Sequence, residues 1–464
     1  MSESVVSVFD ELVAAQPTAT VDVLFDSACV LGGSIAGLLA ARVLSDHARR
    51  VVIVERDAVS TDGLPRAGTP HDQQVHALLP VGLHWLDRWF PGFSDEAREL
   101  GAVVSGPERT CTAFDGIRQA NSGVTSHVML NASRPFLEAR IRARVLALPN
   151  VSVLQARATG LVFRDGAASA VRYTDGAAEG ILAADFFVDS MGRSSRLSEW
   201  VAEEGYERST VERLKAPINY ATALFARDVA DADLRITAHL AIYTPEFSPN
   251  NVGVAAATPV EGEQWLVMLM GYGEDRPGRT IEELREICAK LPGDFAQAVR
   301  GAVTRDVVTY HQEESRRRDF SGLSRFPARL VSVGDAVASF NPVYGQGMSS
   351  ATLHASCLSS YLRDSPDLTA SADAFFRLQE IVVDAAWMVS AGGDSARLDA
   401  IGGAEVPEEV LQQRWALQQV IGASLHDATV AGAFNDVSYM LRHPATLADP
   451  ALLERAIAAN QGVL

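Results

Sequence analysis

Cysteine is scarce in this chain: Cys29, Cys111, Cys288 and Cys357 are the four in 464 residues, and no two form a CxxC pair. That spacing argues against a disulfide framework or a cysteine-built zinc site, and fits a reducing cytoplasm. Positive charge is short as well. Lys and Arg number 40 against 58 Asp and Glu, and the net charge of -18 is spread along the chain rather than gathered in a tail. Binding of nucleic acid or an anionic membrane through a basic patch is therefore not expected. Long apolar runs are also missing, since spanning a bilayer takes roughly 20 residues. The opening Met1-Ser-Glu-Ser-Val-Val lacks a basic stretch and soon meets Asp10 and Glu11, unlike a secretory leader. No Gly-x-Ser-x-Gly elbow supports a hydrolase. His71 and His76 are five residues apart, off the i,i+4 spacing that places two ligands on one helical face, so no metal is expected.

What is present is a chain with 47% hydrophobic and 21% charged residues, enough for a well-formed core and long enough for two or three substructures. Residues 1 to about 20 form a short amphipathic extension, with Val5, Val8, Phe9 and Leu12 at helical spacing. A β-rich run from Val21 to Leu31, glycines, a helix over Ala36 to Leu44 and a strand Val51 to Val54 make one βαβ unit. Helical periodicity follows from Asp72 to Phe90, and again after Ser133-Arg-Pro, with Pro135 near the first helical position. Short strands run from Val151 to Val188 with hairpin turns at Asp165-Gly166 and Asp175-Gly176. Strands are also predicted over Tyr220 to Phe225, Leu240 to Tyr243, Val252 to Ala255 and Trp265 to Met270, then a helix over Ile281 to Leu291. A buried strand Leu330 to Gly334, a helix Met348 to Leu362 and an almost wholly helical stretch after Pro366 complete the pattern.

Two segments carry chemistry. In Gly32-Gly33-Ser34-Ile35-Ala36-Gly37, glycine at a strand-to-helix turn lets backbone N–H groups approach a pyrophosphate at the positive end of the helix. Ser34 replaces the middle glycine of G-x-G-x-x-G, and its hydroxyl can still donate to a phosphate. Taken alone the pattern is also that of any tight turn. Glu55, at the end of the next strand and about 20 residues on, supplies the acid expected to grip a ribose hydroxyl. The second segment runs from Val331 through Gly334-Asp335 to Asn341-Pro342-Val-Tyr344-Gly345-Gln346-Gly347-Met348. Here an apolar strand delivers Asp335 to an edge where doubly wound sheets bind ligands, and the loop leads into a helix with free N–H groups. An ordinary strand-loop-helix connection has the same local pattern.

Together, Gly32 to Gly37 with Glu55-Arg56, Val188-Asp-Ser-Met-Gly192-Arg193, and Gly334-Asp335 through Met348 resemble, in order and spacing, the three FAD motifs of group A flavoprotein monooxygenases, the para-hydroxybenzoate-hydroxylase-like enzymes. The last segment looks most like the bacterial branch of polyether epoxidases and other natural-product tailoring enzymes. The resemblance spans roughly residues 26 to 395, strongest in the cofactor segments and weakest in the middle sheet. It implies an α/β fold: a Rossmann-like FAD-binding domain with an inserted β-sheet substrate domain and a C-terminal helical region. The expected segments are 21–107, 134–206 and 305–365 for FAD, 108–133 and 207–304 for the substrate sheet, and 366–464 for the helices. Two departures stand out: Asp189-Ser190-Met191-Gly192 replaces Asp-Ala-Thr-Gly, and the stretch around His71 to His76 lacks its flanking glycine.

By the same resemblance Gly32, Gly33, Ser34 and Gly37 hold the pyrophosphate, with Glu55 and Arg56 at the adenosine end. Arg134 reaches the phosphate or ribityl region, Asp335 binds the ribityl or pyrophosphate side, and Gly345, Gln346, Gly347 and Met348 face the flavin ring, with Pro342 also among the cofactor-binding residues. Arg134 also reads as a solvated residue before a helix. Tyr220, Phe225, Tyr243, Trp265 and Tyr344 are candidates to line a substrate cavity, although alternating aromatics are also ordinary core packing in half-buried strands. The expected activity is hydroxylation or epoxidation of a small apolar, polyketide- or terpenoid-like molecule, the cofactor carrying the difficult chemistry. NADPH or a separate flavin reductase would supply electrons. The second expectation is a redox-neutral [4+2] cyclase like the decalin-forming enzymes of spirotetramate and spirotetronate pathways, in which orientation of a polyene is the catalysis. A flavin-binding protein without catalysis is the third. No catalytic side chain, membrane insertion or oligomeric state is assigned from the residues.

Overall fold

Valine, isoleucine and leucine concentrated in short runs, buried on both faces, are the signature of a covered parallel sheet. The computed structural model describes residues 4–17, 21–58, 60–228 and 238–462 and shows that sheet. Its five parallel strands lie in the order Leu330–Ser332, Phe186–Asp189, Phe25–Leu31, Ala48–Glu55, Val151–Gln155. Val30, Leu31, Val51 and Ile53 are fully buried, each worth about 1.5–3 kcal/mol of transfer energy. The helix Ile35–His47 packs against the sheet and against both Arg134–Leu146 and Gln346–Arg363. The antiparallel hairpins Arg157–Arg164, Ala167–Thr174 and Glu179–Ala183 add Leu161, Ala168 and Val171 to the same core.

A second, eight-stranded sheet runs in the order Ala338–Ser339, Val303–Asp319, Thr210–Ala226, Gln264–Tyr272, Val254–Val260, Ala238–Ile242, Thr110–Phe114, Ile117–Arg118. It is antiparallel except where Ala238–Ile242 runs parallel to Thr110–Phe114. The helices Ile281–Cys288 and Gly293–Ala298 cover one face, with Phe225, Trp265, Leu284 and Phe295 in the intervening core. The other face, carrying Ile218, Tyr220, Met268 and Met270, meets Val75 and Val343 from loops at the parallel sheet. The 30-residue helix Asp373–Gly402 then packs on Gln346–Arg363 and touches Thr210–Ala226. Three further helices, Glu408–Ser424, Ala428–Ser438 and Pro450–Asn460, share a small core of Val420, Ala423, Val430 and Ala456.

The differences from the sequence pattern have local causes. Helical periodicity from Asp72 becomes a helix only at Pro80, which takes the first helical position; residues 71–79 are turns and extended chain. The first strand starts at Phe25 rather than Val21. The 17-residue strand Val303–Asp319 was not anticipated, and the expected boundary at 305 falls inside it. It carries Arg316, Arg317 and Arg318 and pairs on one side through only two residues, so it lacks the apolar alternation of a buried strand. The amphipathic extension is the helix Val5–Ala14, which buries Phe9 and Leu12 and accepts a hydrogen bond from Ser356 Oγ at Leu12 O (2.8 Å). Residues 1–3 and 18–20 of that extension, and 463–464 of the C-terminal stretch, lie outside the described residues. Among the described residues no helix is long and apolar enough to cross a membrane.

Candidate functional site

The parallel sheet ends on two loops. At the first, Gly32 takes φ +108°, a conformation that L side chains rarely adopt, and a Cβ there would lie 2.5 Å from Ser190 O. A Cβ on Gly37 would lie 1.9 Å from Gly32 O, so the helix packs directly on its own turn. Gly33 N–H donates to Glu55 Oε2 at 2.7 Å, and Asp57 N–H donates to Oε1 at 3.0 Å. A carboxylate has about four lone-pair positions, so the buried Glu55 keeps acceptor capacity for hydroxyl groups. Ser190, the departure in the middle motif, donates from Oγ to the carbonyls of Leu31 and Gly32, both at 2.9 Å, and pins this turn. The buried Asp189 accepts from Ser195 Oγ at 2.6 Å and Ser332 Oγ at 3.0 Å; burial pushes its carboxyl upward.

Ser34 caps the helix Ile35–His47 and joins a buried charged cluster. Its Oγ donates to Glu138 Oε2 at 2.8 Å and accepts from Arg134 Nη2 at 3.0 Å. Glu138 also takes Arg142 at 2.6 Å and Arg66 at 2.7 Å. Burial would raise the Glu138 carboxyl, but Arg134, Arg66 and Arg142 outweigh it and hold it at about 2. Arg134 is thus a buried cation at a helix start, not a solvated one. Arg56 stays outside this cluster, half-exposed and 3.7 Å from Asp57.

At the second loop, Gly334 has φ +63° and donates its N–H to His354 Nδ1 at 2.9 Å. Asp335 follows, half-buried; burial raises its pKa, against Arg193, Arg134 and Arg316. Pro342–Tyr344 makes one tight turn, Gly345 closes it at φ +68°, and Gln346 starts the helix Gln346–Arg363. Gln346 is 1% exposed, yet neither its Nε2 nor its Oε1 has a hydrogen-bond partner among the described residues. Two unpaired polar atoms on one buried amide cost several kcal/mol unless a ligand meets them, at about 1–3 each. A Cβ on Gly347 would meet nothing within 4 Å. Met348, by contrast, is buried in the core of the parallel-sheet half. Asn341 anchors the loop, its Nδ2 donating to both carboxylate oxygens of Asp394 at 3.0 Å. Asp394 also accepts from Tyr344 OH at 3.4 Å, and burial pushes it up to about 6.

Between the loops and the second sheet, His71, His76, Tyr310 and Tyr220 stand in sequence. His71 lies 5.3 Å from the His76 ring and 5.8 Å from Tyr310, which stacks on Tyr220 at 6.3 Å. Burial, then Arg134 and Arg193, lower His71 to about 3, so it is neutral. Of the five aromatic pocket candidates, Tyr220 and Tyr344 are on this side. Phe225, Tyr243 and Trp265 are not. They lie in the core on the opposite face of the sheet, under the Ile281–Cys288 and Gly293–Ala298 helices. The period-two alternation of a strand places Tyr220 and Phe225, five apart, on opposite faces.

Comparison with known proteins now decides the family. A family profile described as an FAD binding domain matches residues 26–373. The chain belongs to this FAD-binding family. It is 30% identical over 456 residues to Protein Rv3254 of Mycobacterium tuberculosis, with 94% of each chain covered. Among solved structures it has the fold of a triple mutant of the flavin-dependent brominase Bmp2 (TM-score 0.64, 10% identity, 94% of this chain and all of the other). It also has the fold of p-nitrophenol 4-monooxygenase PnpA of Pseudomonas putida (TM-score 0.61, 16% identity, 91% and 99% covered).

FAD is therefore the cofactor, and the residues present fit it. The tight Gly32–Gly37 turn, the unpaired Gln346 amide and the open space over Gly347 are what a flavin dinucleotide would use. The residues that motif reading left out are Arg66, Glu138 and Asp394. Glu138 had a signal: Arg134, Glu138 and Arg142 are spaced i,i+4 on one helix. Asp394 had none, because its partner Asn341 is 53 positions away.

Proposed function

We propose that this protein is an FAD-dependent monooxygenase of a small apolar molecule. The observation that carries this reading is the buried, unpartnered Gln346 amide at the start of a helix, beside the open Gly347 and just after a loop whose Val343 packs on the apolar face of the second sheet. In it, Ser34, Arg134 and the start of the helix Ile35–His47 hold the pyrophosphate. Glu55 takes the ribose hydroxyls, Asp335 the ribityl side, and Gln346 the polar edge of the ring. When bound there, FAD would supply the redox chemistry by which one atom of molecular oxygen reaches the substrate and the other leaves as water, at the expense of an external reductant.

The rest of the work falls to the chain. Ile218, Tyr220, Met268 and Met270 form a buried apolar core with Val75 and Val343 at this end of the second sheet, and in this reading an apolar substrate lies against that core, away from water. Neutral His71 and His76 add no charge beside it. The Tyr344 hydroxyl donates to Asp394 Oδ1 and marks the polar end of the cleft. A polyketide- or terpenoid-like substrate, with NADPH or a separate reductase as electron donor, suits a site with an apolar side and one polar end.

The test is the mass of the product. Purified protein with bound flavin, a reductant and oxygen should add one oxygen atom to an apolar polyene, and Gln346→Ala should lower flavin affinity about tenfold, or ~1.4 kcal/mol. Conversion to an isomer of unchanged mass without reductant or oxygen would replace this reading with the redox-neutral cyclase.

A further inference from the structure

The face of the second sheet turned away from the proposed cofactor cleft carries another cluster. Thr110–Phe114 and Ala238–Ile242 run parallel there, with Cys111 and His239 as neighbours in register. Arg118, from the edge strand Ile117–Arg118, donates its Nε to Cys111 Sγ at 2.9 Å. Asp294, on the helix Gly293–Ala298, lies 2.9 Å from His239 Nδ1. That bond sets the tautomer, with the Nδ1 proton toward the carboxylate. The His239 side chain is 3% exposed, and its Nε2 has no hydrogen-bond partner among the described residues apart from the thiol it meets across the strand pair. A cavity of about 290 Å³ opens on this group, lined by Cys111, Gly116, Arg118, His239, Pro292 and Asp294.

The other three cysteines set the contrast. Burial pushes the thiols of Cys29 and Cys288 up to about 12 and that of Cys357 higher still, so none of them ionises near neutrality. Burial also acts on Cys111, but His239 and Arg118 outweigh it and bring the thiol below its ordinary value. Burial works against a proton on His239 in the same way, and Asp294 with the Cys111 sulfur outweighs it. The groups facing the thiol are thus Arg118, His239 and, behind His239, Asp294; Glu108 and His127 line an adjoining cavity that Cys111 also borders.

We propose that Cys111, His239, Asp294 and Arg118 form a second reactive site, in which the Cys111 thiolate reduces small hydroperoxides. Arg118 and His239 both line the small cavity beside the sulfur, and their N–H groups suit a ligand with oxygen lone pairs that reaches it. The sulfur attacks one peroxide oxygen: an S–O bond forms, the O–O bond breaks, and two electrons pass from sulfur to peroxide. His239 Nε2 gives its proton to the departing oxygen, so the products are a cysteine sulfenic acid and water, or an alcohol from an alkyl hydroperoxide. Asp294 holds the imidazole in place and favours its protonated form. With the other cysteines buried in separate elements, a small external thiol must return the sulfenic acid to the thiol.

Hydrogen peroxide is the probe. Flavin-loaded protein is exposed to it at pH 7, trapped with dimedone and mapped by peptide mass spectrometry. Cys111 should be the cysteine labelled, and Cys29, Cys288 and Cys357 should stay unlabelled. Separately, iodoacetamide alkylation of Cys111 should follow a titration below the free-thiol value of about 8.5, and His239→Gln should shift it upward and slow reaction at pH 6 about tenfold. Flavin content and melting temperature of each variant are measured beside the rates, and Asp294→Asn, which keeps the imidazole, should fall between the two. An unlabelled Cys111 in the wild-type protein, or an alkylation profile of an ordinary thiol, overturns the assignment without any variant. Neither result depends on the monooxygenase reading, because neither uses turnover.

Discussion

At Gly37 an added Cβ would lie 1.9 Å from the Gly32 carbonyl, whereas at Gly347 it would meet nothing within 4 Å. Both residues sit at the start of a helix that leaves the parallel sheet, and both are read from sequence as cofactor-loop glycines. The first turn is filled by the protein itself: Ser190 pins its carbonyls and Glu55 takes its N–H. The second is left open, with a buried amide unpaired beside it. A glycine therefore marks either a contact between protein elements or a space kept for something else, and only the surroundings tell which. The same contrast gives the variants that test it.

The largest effect is expected at Gly37→Ala. A mid-helix Gly→Ala change normally stabilises by up to about 1 kcal/mol. Here the methyl would overlap Gly32 O and lie 2.6 Å from Ser190 Oγ, with backbone that cannot yield without parting helix from strand. Overpacking typically costs ~1–3 kcal/mol. The expected result is a loss of about 3 kcal/mol in urea unfolding of the flavin-free protein, with flavin binding lost alongside. Stability equal to wild type would mean that the turn is not close-packed.

The second loop's anchor gives a pH signature of nearly the same size. Burial pushes the Asp394 carboxyl up to about 6 in the folded chain, against the hydrogen bonds of Asn341 and Tyr344. Unfolded, it titrates near 3.9. Between these values the native chain holds a proton that the unfolded chain has lost, so stability falls as pH rises through that window and is level above it. Across that window the expected fall is ~3 kcal/mol. Unfolding measured from about pH 4 to 7 should show this fall in the wild type and not in Asp394→Asn. Parallel curves would remove the titration from Asp394.

How much of this was legible follows the range of each interaction. The Gly32–Gly37 turn and Glu55 were readable because strand, turn, helix and acid fall within a short span of chain. Apolar runs marked three strands of the parallel sheet, those near Val21 to Leu31, Val51 to Val54 and Leu330 to Gly334, while the Rossmann-like domain as a whole came from the family resemblance. Phe225, Tyr243 and Trp265 were pocket candidates with core packing as their alternative, and core packing is what they do: alternation separates Phe225 from Tyr220 on one strand, but the faces of Tyr243 and Trp265 depend on pairing between strands that sequence alone does not give. The strand Val303–Asp319 was hidden by its arginines: Arg317 pairs with Glu212 and Asp384, and Arg316 and Arg318 donate to the carbonyls of Arg193 and Ala336 rather than sit in a core. Asp394 and the Cys111–His239–Asp294 group join elements far apart in sequence, which no local pattern records.

Gly347→Ala is the smallest change and the sharpest for the comparison. Its position is the second residue of the helix Gln346–Arg363, where alanine favours the helix by up to ~1 kcal/mol over glycine. With no protein atom in the way, the flavin-free variant should unfold at the same urea concentration as wild type or slightly higher. Flavin affinity should move the other way, because the methyl occupies the space beside the unpaired Gln346 amide; a tenfold weakening, about 1.4 kcal/mol, is expected by fluorescence titration. Folding and binding then separate at Gly347 and fall together at Gly37. If Gly347→Ala instead destabilises the flavin-free protein as Gly37→Ala does, both turns are packing devices, and the ring must lie against some other part of the cleft.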